Sequence, residues 1–350
     1  MSLGQRKNPL LRSVLTAALA AVLFGATIPL LQRASNGLGA FVTAALLYAG
    51  AALGTTLSPG DSHSRALQRQ HWPRIVGVAI LGATLAPVCL AWGLQRSSAF
   101  TASLLLNFEA VFTIAFAAIA YREYVGKRVG VAAAAMLVGG VLLARSEATG
   151  SLEGVWGALA VLLAVACWAL DNTLMRPLAE LRPSSVVRAK ALVGAALSAA
   201  AAVALEQKLP SLRASVTIAL CGALGYGVSL RLYLRAQRHM GAVRTGSVFA
   251  LAPFLGAALS WIALPQRLGW MELLATALFA LGLYLHLSER HEHAHIHELT
   301  EHEHAHRHDD GHHNHSHDVM PDGEHSHRHR HEPIEHVHTH GEDIHHRHHG

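Results

Sequence analysis

Residues 99–121 read AFTASLLLNFEAVFTIAFAAIAY, an apolar run in which Glu109 is the one charged side chain. A helix needs ~20 mostly apolar residues to cross a hydrocarbon layer of ~30 Å, so this stretch reads as a membrane span. Nine further stretches of the same kind lie around it, at roughly 12–33, 37–57, 74–95, 129–145, 154–176, 186–205, 214–235, 243–264 and 270–288. The connections are short and carry Gly, Pro, Ser or Arg, which leaves no room for a soluble domain between spans. The expected fold class is all-α, a polytopic membrane protein of ten transmembrane helices.

Composition agrees once the chain is divided. Overall, 51% of residues are hydrophobic and 15% charged, yet 23 of the 27 histidines lie beyond Arg290. The first part is too apolar for a soluble domain and the second has almost nothing to bury. A pI near 9.4 suggests nucleic acid. The positive charge, however, sits in short loops between apolar segments, which is a topology signal, and no nucleic-acid partner is expected. The run Leu15–Leu31 follows Arg6, Lys7 and Arg12 like a signal peptide, but apolar segments continue behind it and it is expected to stay as the first span. Cys89, Cys167 and Cys221 each sit inside an apolar run, so no disulfide framework is readable.

The loop charges set an orientation. With a cytosolic N-terminus, the inside segments hold 16 basic residues and the outside loops 6. Arg176, Arg182, Arg188 and Lys190 are counted among the inside ones. That bias obeys the positive-inside rule and puts both termini in the cytosol, with a bacterial inner membrane as the expected location.

A shift of 144 positions lays Phe24-Gly25-Ala26-Thr27 onto Trp168-Ala169-Leu170-Asp171, and Thr101-Ala102-Ser103 onto Thr245-Gly246-Ser247. Each half then holds five spans. An odd number gives the halves opposite orientations, the inverted-repeat design of many secondary transporters.

The Phe24-Gly25 and Trp168-Ala169 dipeptides, together with the small-residue fourth span ending in Tyr121-Arg122-Glu123, resemble the drug/metabolite transporter superfamily, EamA type. The resemblance covers about residues 12–288. It implies a first five-helix repeat over 12–145 and a second over 154–288, flanked by a cytosolic N-terminus (1–11) and a disordered His-rich cytosolic tail (289–350). It also implies a Pro in the fourth span of each half and a Glu just beyond it. Glu123 and Pro253 keep that pattern; Glu109 stands where Pro253 aligns, and Gln266-Arg267 where Glu123 aligns.

Charged groups within membrane spans are costly and face a cavity or a partner. Glu109, with Asn107 beside it, reads as mid-span and far from any helix end. Asp171 and Asn172 sit in the C-terminal half of the sixth span, and Arg231 lies in the eighth. One reading is a central site in which Glu109 and Asp171 bind a cation or exchange protons. The other is a structural ion pair of Glu109 or Asp171 with Arg231. Pro29, Pro87 and Pro253 interrupt spans one, three and nine and free backbone carbonyls there. The runs Ala132–Ala135 and Ala199–Ala202 suit close helix packing.

The tail alternates histidine with other residues in blocks: His291, His293, His295, His297; His302, His304, His306, His308; His312, His313, His315, His317; His325, His327, His329, His331; and His336, His338, His340. In extended chain, residues i and i+2 project to one side, so neighbouring imidazoles can share an ion. Imidazole suits nickel, cobalt and zinc, and Glu301, Glu303, Asp309 and Asp310 can add oxygen ligands. Several exchangeable metal sites are expected, against the alternatives of a solvated spacer or an expression tag. No cofactor is required.

Three functions fit. A divalent-metal exporter (nickel, cobalt or zinc) working by proton-coupled alternating access would use the tail to load or regulate it. An EamA-type metabolite or drug exporter would use the tail only to sense or buffer metal. A membrane-anchored metal store needs one span, not ten. No P-loop or hydrolase triad is visible, so an enzyme is not expected. The expected partners are the lipid bilayer and either transition metal ions or a small-molecule substrate, with a homodimer allowed.

Overall fold

The computed structural model describes residues 9–56, 67–121, 126–175, 181, 183–266, 268–288, 291–296, 300–306, 325–331 and 335–340. The chain divides into two units, Met1–Ser288 and Glu289–Gly350.

Every described element of the first unit is helical. The helices are α1 (Pro9–Ala34), α2 (Ala40–Thr56), α3 (Trp72–Val78), α4 (Ala86–Leu94), α5 (Ala99–Leu105), α6 (Phe108–Tyr121) and α7 (Lys127–Gly150). They continue with α8 (Leu152–Met175), α9 (Pro183–Ala204), α10 (Leu212–Cys221), α11 (Ser229–Met240), α12 (Ala242–Phe249), α13 (Ala252–Ala263) and α14 (Trp270–Leu287). Among the described residues, 9 helical stretches are long and apolar enough to cross a membrane; α2, with 17 residues, is shorter.

These helices bury small side chains and expose large ones. Ala17, Ala20, Ala44, Ala79, Ala83 and Ala86 are fully enclosed, whereas Leu15, Leu53, Trp156 and Leu163 are each more than half exposed. In water that arrangement would forfeit much of the hydrophobic driving force; against lipid tails it costs nothing, and small residues let backbones approach. A Cβ on Gly222 would run into the Leu47 carbonyl and one on Gly50 into the Ala219 carbonyl, so α2 and the α10 end pack backbone to backbone.

Four long helices are irregular, and the irregularities come in pairs. Ala79–Leu85 joins α3 to α4 as a π-helical segment, and Gly222–Val228 joins α10 to α11 in the same way. The fourth stretch breaks at Leu106-Asn107, between α5 and α6; the ninth breaks at Ala250-Leu251, between α12 and α13, 144 positions later. Pro253 opens α13 in its first turn, where a missing N–H has no intrahelical partner to lose. Pro87 stands likewise in the first turn of α4, and Pro29 lies inside α1. Gly241, at φ 83°, makes the turn from α11 to α12 in the left-handed region that glycine tolerates.

Two expectations change here. Glu109 is not far from a helix end: it lies in the first turn of α6. Lys190 is not a loop residue: it lies inside α9, with 13% of its side chain exposed.

In the second unit the described residues are strands: β1 (His291–Ile296), β2 (Thr300–His306), β3 (His325–His331) and β4 (Glu335–His340). β1 pairs antiparallel with β4, bringing His293 opposite His338, and β2 with β3, bringing His304 opposite His327. The period-two alternation of the sequence is the period of a strand. His297, His308, His312, His313, His315 and His317 lie outside the described residues, as does Glu123.

Candidate functional site

The break at Leu106-Asn107 creates the site. Leu106, Asn107 and Glu109 donate their backbone N–H groups to carbonyls three residues back, at 3.2, 3.1 and 3.1 Å, so the chain tightens here. The Asn107 Nδ2 also donates to the Leu104 carbonyl, at 2.9 Å, so that carbonyl accepts from both the backbone and the side chain of Asn107. The chain restarts as α6 with Glu109 in its first turn, where the unpaired N–H groups and the helix dipole favour a negative charge.

Helix α8 brings the next two residues. Asn172 donates from Nδ2 to Oε1 of Glu109 at 2.7 Å. Asn172 is exposed and Glu109 half-buried. Asp171, one residue earlier, is 1% exposed and faces the other way, where its Oδ2 accepts a charge-assisted hydrogen bond from Nζ of Lys190 on α9. Lys190 also lies 3.7 Å from the Met175 sulfur. The remaining Asp171 oxygen, Oδ1, is buried with no hydrogen-bond partner among the described residues.

The π-helical segment at Ala79–Leu85 shapes the wall of this site. The Asp171 carboxylate occupies the space a Cβ would need at Gly82, so only glycine fits. The Gly82 carbonyl accepts from the Tyr48 hydroxyl at 2.6 Å and from the Trp168 Nε1 at 2.9 Å. The other π-helical segment repeats the packing without the charge: the Thr27 methyl sits where a Cβ on Gly225 would go. One position on, Tyr226 packs its ring against Phe24, Tyr48 and Trp168, with centroids 5.5, 5.9 and 6.4 Å away.

Of the expected site residues, the fold brings together Glu109, Asp171 and Asn172, with Asn107 at the break beside them. Arg231 is not among them. It lies on α11, which packs on α1 and α12, and no ion pair joins it to either acid. The counter-ion is Lys190, which sequence reasoning counted among the inside basic residues although the expected span 186–205 contains it. Its place eight residues into an apolar helix that starts at Pro183 was the available signal. Nothing in the spacing pointed to Tyr48 or Tyr226. Among the described residues no group of three or more His, Cys, Asp or Glu is placed to share a metal ion. A separate groove of about 380 Å³, lined by Phe41, Trp92, Arg96 and Gln207 among others, includes none of the charged residues above.

This arrangement can hold a cation or pass a proton at Glu109, while Asp171 stays neutralised by Lys190. Removing either member of a buried pair leaves the other as an uncompensated charge, so the two are expected to act as one unit.

Comparison with known proteins agrees with a transporter scaffold. The family model described as "EamA-like transporter family" matches residues 11–145 and again 155–288. An uncharacterized transporter from Methanothermobacter thermautotrophicus (strain Delta H) is 25% identical over 232 residues, 65% of this chain and 67% of its own. A solved crystal structure superposes with a TM-score of 0.57 at 22% identity, covering 79% of this chain and 96% of that one, which is a likeness of fold.

Proposed function

The chain belongs to the EamA-like transporter family, and from that premise we propose that it is a secondary transporter exporting a small solute by alternating access, driven by proton exchange. The single observation that carries this reading is the pair of linked contacts inside the bundle, Glu109 with Asn172 and Asp171 with Lys190. Charged groups at membrane depth persist where they serve a path, and both acids sit beside irregular backbone. In this reading α2 spans as well, giving ten spans in two inverted five-helix repeats. Both termini are cytosolic in a bacterial inner membrane, and the working form is a homodimer or a single chain. Glu109 exchanges the proton or binds the solute; Asp171 and Lys190 tie α8 to α9, both of which pack on Ala79–Leu85, and release when the helices move.

The histidine blocks of the tail bind nickel, cobalt or zinc in this proposal, from the cytosolic side. They also favour a second reading, export of those metals as divalent ions. Metal content and excreted solutes of cells expressing the full chain, a chain ended after Arg290 and Glu109→Gln decide between them. Lower intracellular nickel, cobalt or zinc with the full chain, abolished by Glu109→Gln, supports metal export. A changed profile of excreted organic solutes with unchanged metals, again abolished by Glu109→Gln, supports the first reading. If neither profile changes on expression, the transport reading fails.

A further inference from the structure

The Tyr226 hydroxyl is buried and has no hydrogen-bond partner among the described residues. A buried hydroxyl without a partner costs free energy, so such a group calls for a partner from outside the protein, a water, an ion or a polar atom of a ligand. Its surroundings are specific. Three aromatic rings, Phe24, Tyr48 and Trp168, stand around the Tyr226 ring, and they come from α1, α2 and α8. The Tyr48 and Trp168 polar atoms are already engaged with the Gly82 carbonyl, so these two rings present their faces and edges while their donors are occupied. Glu109 accepts a hydrogen bond from Asn172, which lies one helical turn beyond Trp168 on α8, so the carboxylate stands on the Trp168 side of the aromatic cluster.

Charge narrows the ligand class. Glu109 and Asp171 are negative and Lys190 positive, which leaves one unmatched negative charge, and it resides on Glu109. A divalent ion would face a single carboxylate, an amide and aromatic rings. Ni²⁺, Co²⁺ or Zn²⁺ wants several nitrogen, sulfur or oxygen donors together. A protonated amine matches better. Its N–H groups can donate to Glu109 and to the Tyr226 oxygen, its charge is attracted to ring faces, and an apolar body can lie among Phe24 and Trp168.

We infer that the space bounded by Glu109, Tyr226, Phe24, Tyr48 and Trp168 is a binding site for an organic monocation, an amine attached to an apolar or aromatic body. This rests on the reading of the chain as a transporter of small solutes and names the class of solute.

The test uses the full chain in lipid nanodiscs with phenethylammonium as the probe, measured by equilibrium dialysis of the labelled compound. The expected result is saturable binding that 2-phenylethanol and phenylacetate do not displace. Glu109→Gln should abolish it, and Tyr226→Phe should weaken it severalfold while holding or raising the melting temperature of the unliganded protein. Nickel should fail to compete in a chain ended after Arg290. Equal binding of 2-phenylethanol, or unchanged affinity in Glu109→Gln, overturns the inference. So does displacement of the probe by nickel in the shortened chain. Flux of the same probe across proteoliposomes separates the two levels. Binding without Glu109-dependent flux contradicts transport and leaves the site. Glu109-dependent flux of other solutes without phenethylammonium binding contradicts the site and leaves transport.

Discussion

The two halves of the helical unit share their irregular backbone, but the two sets of matching positions that they form together differ in chemistry. Both carry a π-helical segment and both carry a broken helix, at 106–107 and at 250–251. At matching positions, however, one side, built from both halves, has Glu109 of the first with Asp171 and Lys190 of the second, and the other side has Pro253 of the second with Thr27 and Leu46 of the first. Asp171 packs on Gly82 and joins Lys190, whereas Thr27 packs on Gly225 and returns its hydroxyl to the Phe24 carbonyl at 2.6 Å. The duplicated scaffold therefore supplies the breaks and wide turns, and the charges that can do transport work are gathered on one side. A frame built twice needs its functional groups only once.

The largest expected effect comes from breaking the pair that has no counterpart. Lys190→Leu leaves Asp171 buried without its partner and should destabilise the protein by roughly 3–5 kcal/mol. Thermal unfolding in detergent reads it. Making both sides alike, with Asp171→Thr and Lys190→Leu together, should recover most of that stability while leaving transport lost. If the double variant melts as low as the single one, the ion pair is not what holds α8 to α9.

Next in size is the contrast between the glycines. Gly82→Ala pushes a methyl into the Asp171 carboxylate and should cost about 1–3 kcal/mol by overpacking. Gly225→Ala meets the Thr27 methyl instead, so it should lower the melting temperature without altering the affinity for solute. Gly82→Ala should change both. Equal effects of the two on affinity would remove the distinction between the sides.

A smaller change is expected at Asn172→Ala, which deletes the hydrogen bond to Glu109. That should cost on the order of 1 kcal/mol and weaken solute binding, measured by dialysis in nanodiscs. The smallest is Pro253→Ala, at the position that matches Glu109. Its ring occupies a first turn where the lost N–H was not needed, so stability and transport should stay near those of the unsubstituted chain.

Much of this comparison was legible in the sequence, but not its meaning. The 144-residue shift aligned Thr27 with Asp171 and Pro253 with Glu109; the first two prove to pack on the glycines of the two π-helical segments, and the last two to follow the two helix breaks. The run 99–121 gave away a membrane helix yet concealed its break, because Leu106-Asn107 contains neither Gly nor Pro. Its twin was easier, since Pro253 stands beside it. The π-helical segments were unreadable for a similar reason: Gly82 and Gly225 resemble any small residue in a membrane helix, and their need for glycine comes from side chains on other helices. Lys190 fell within the expected span 186–205 but was counted with the inside basic residues, so it was passed over as a charge within the bundle. Its partner lies 19 residues away on another helix, and only the packing reveals it. Histidine alternation in the tail was plain, and it suits the strand pairing as well as it suits metal ligation.

The most direct test of the asymmetry is efflux from cells expressing the full chain, Glu109→Gln or Pro253→Ala, each checked for equal membrane content and melting temperature. The account predicts that Glu109→Gln loses the exported solutes of the unsubstituted chain and that Pro253→Ala keeps them. Export by Glu109→Gln at the unsubstituted level would contradict it.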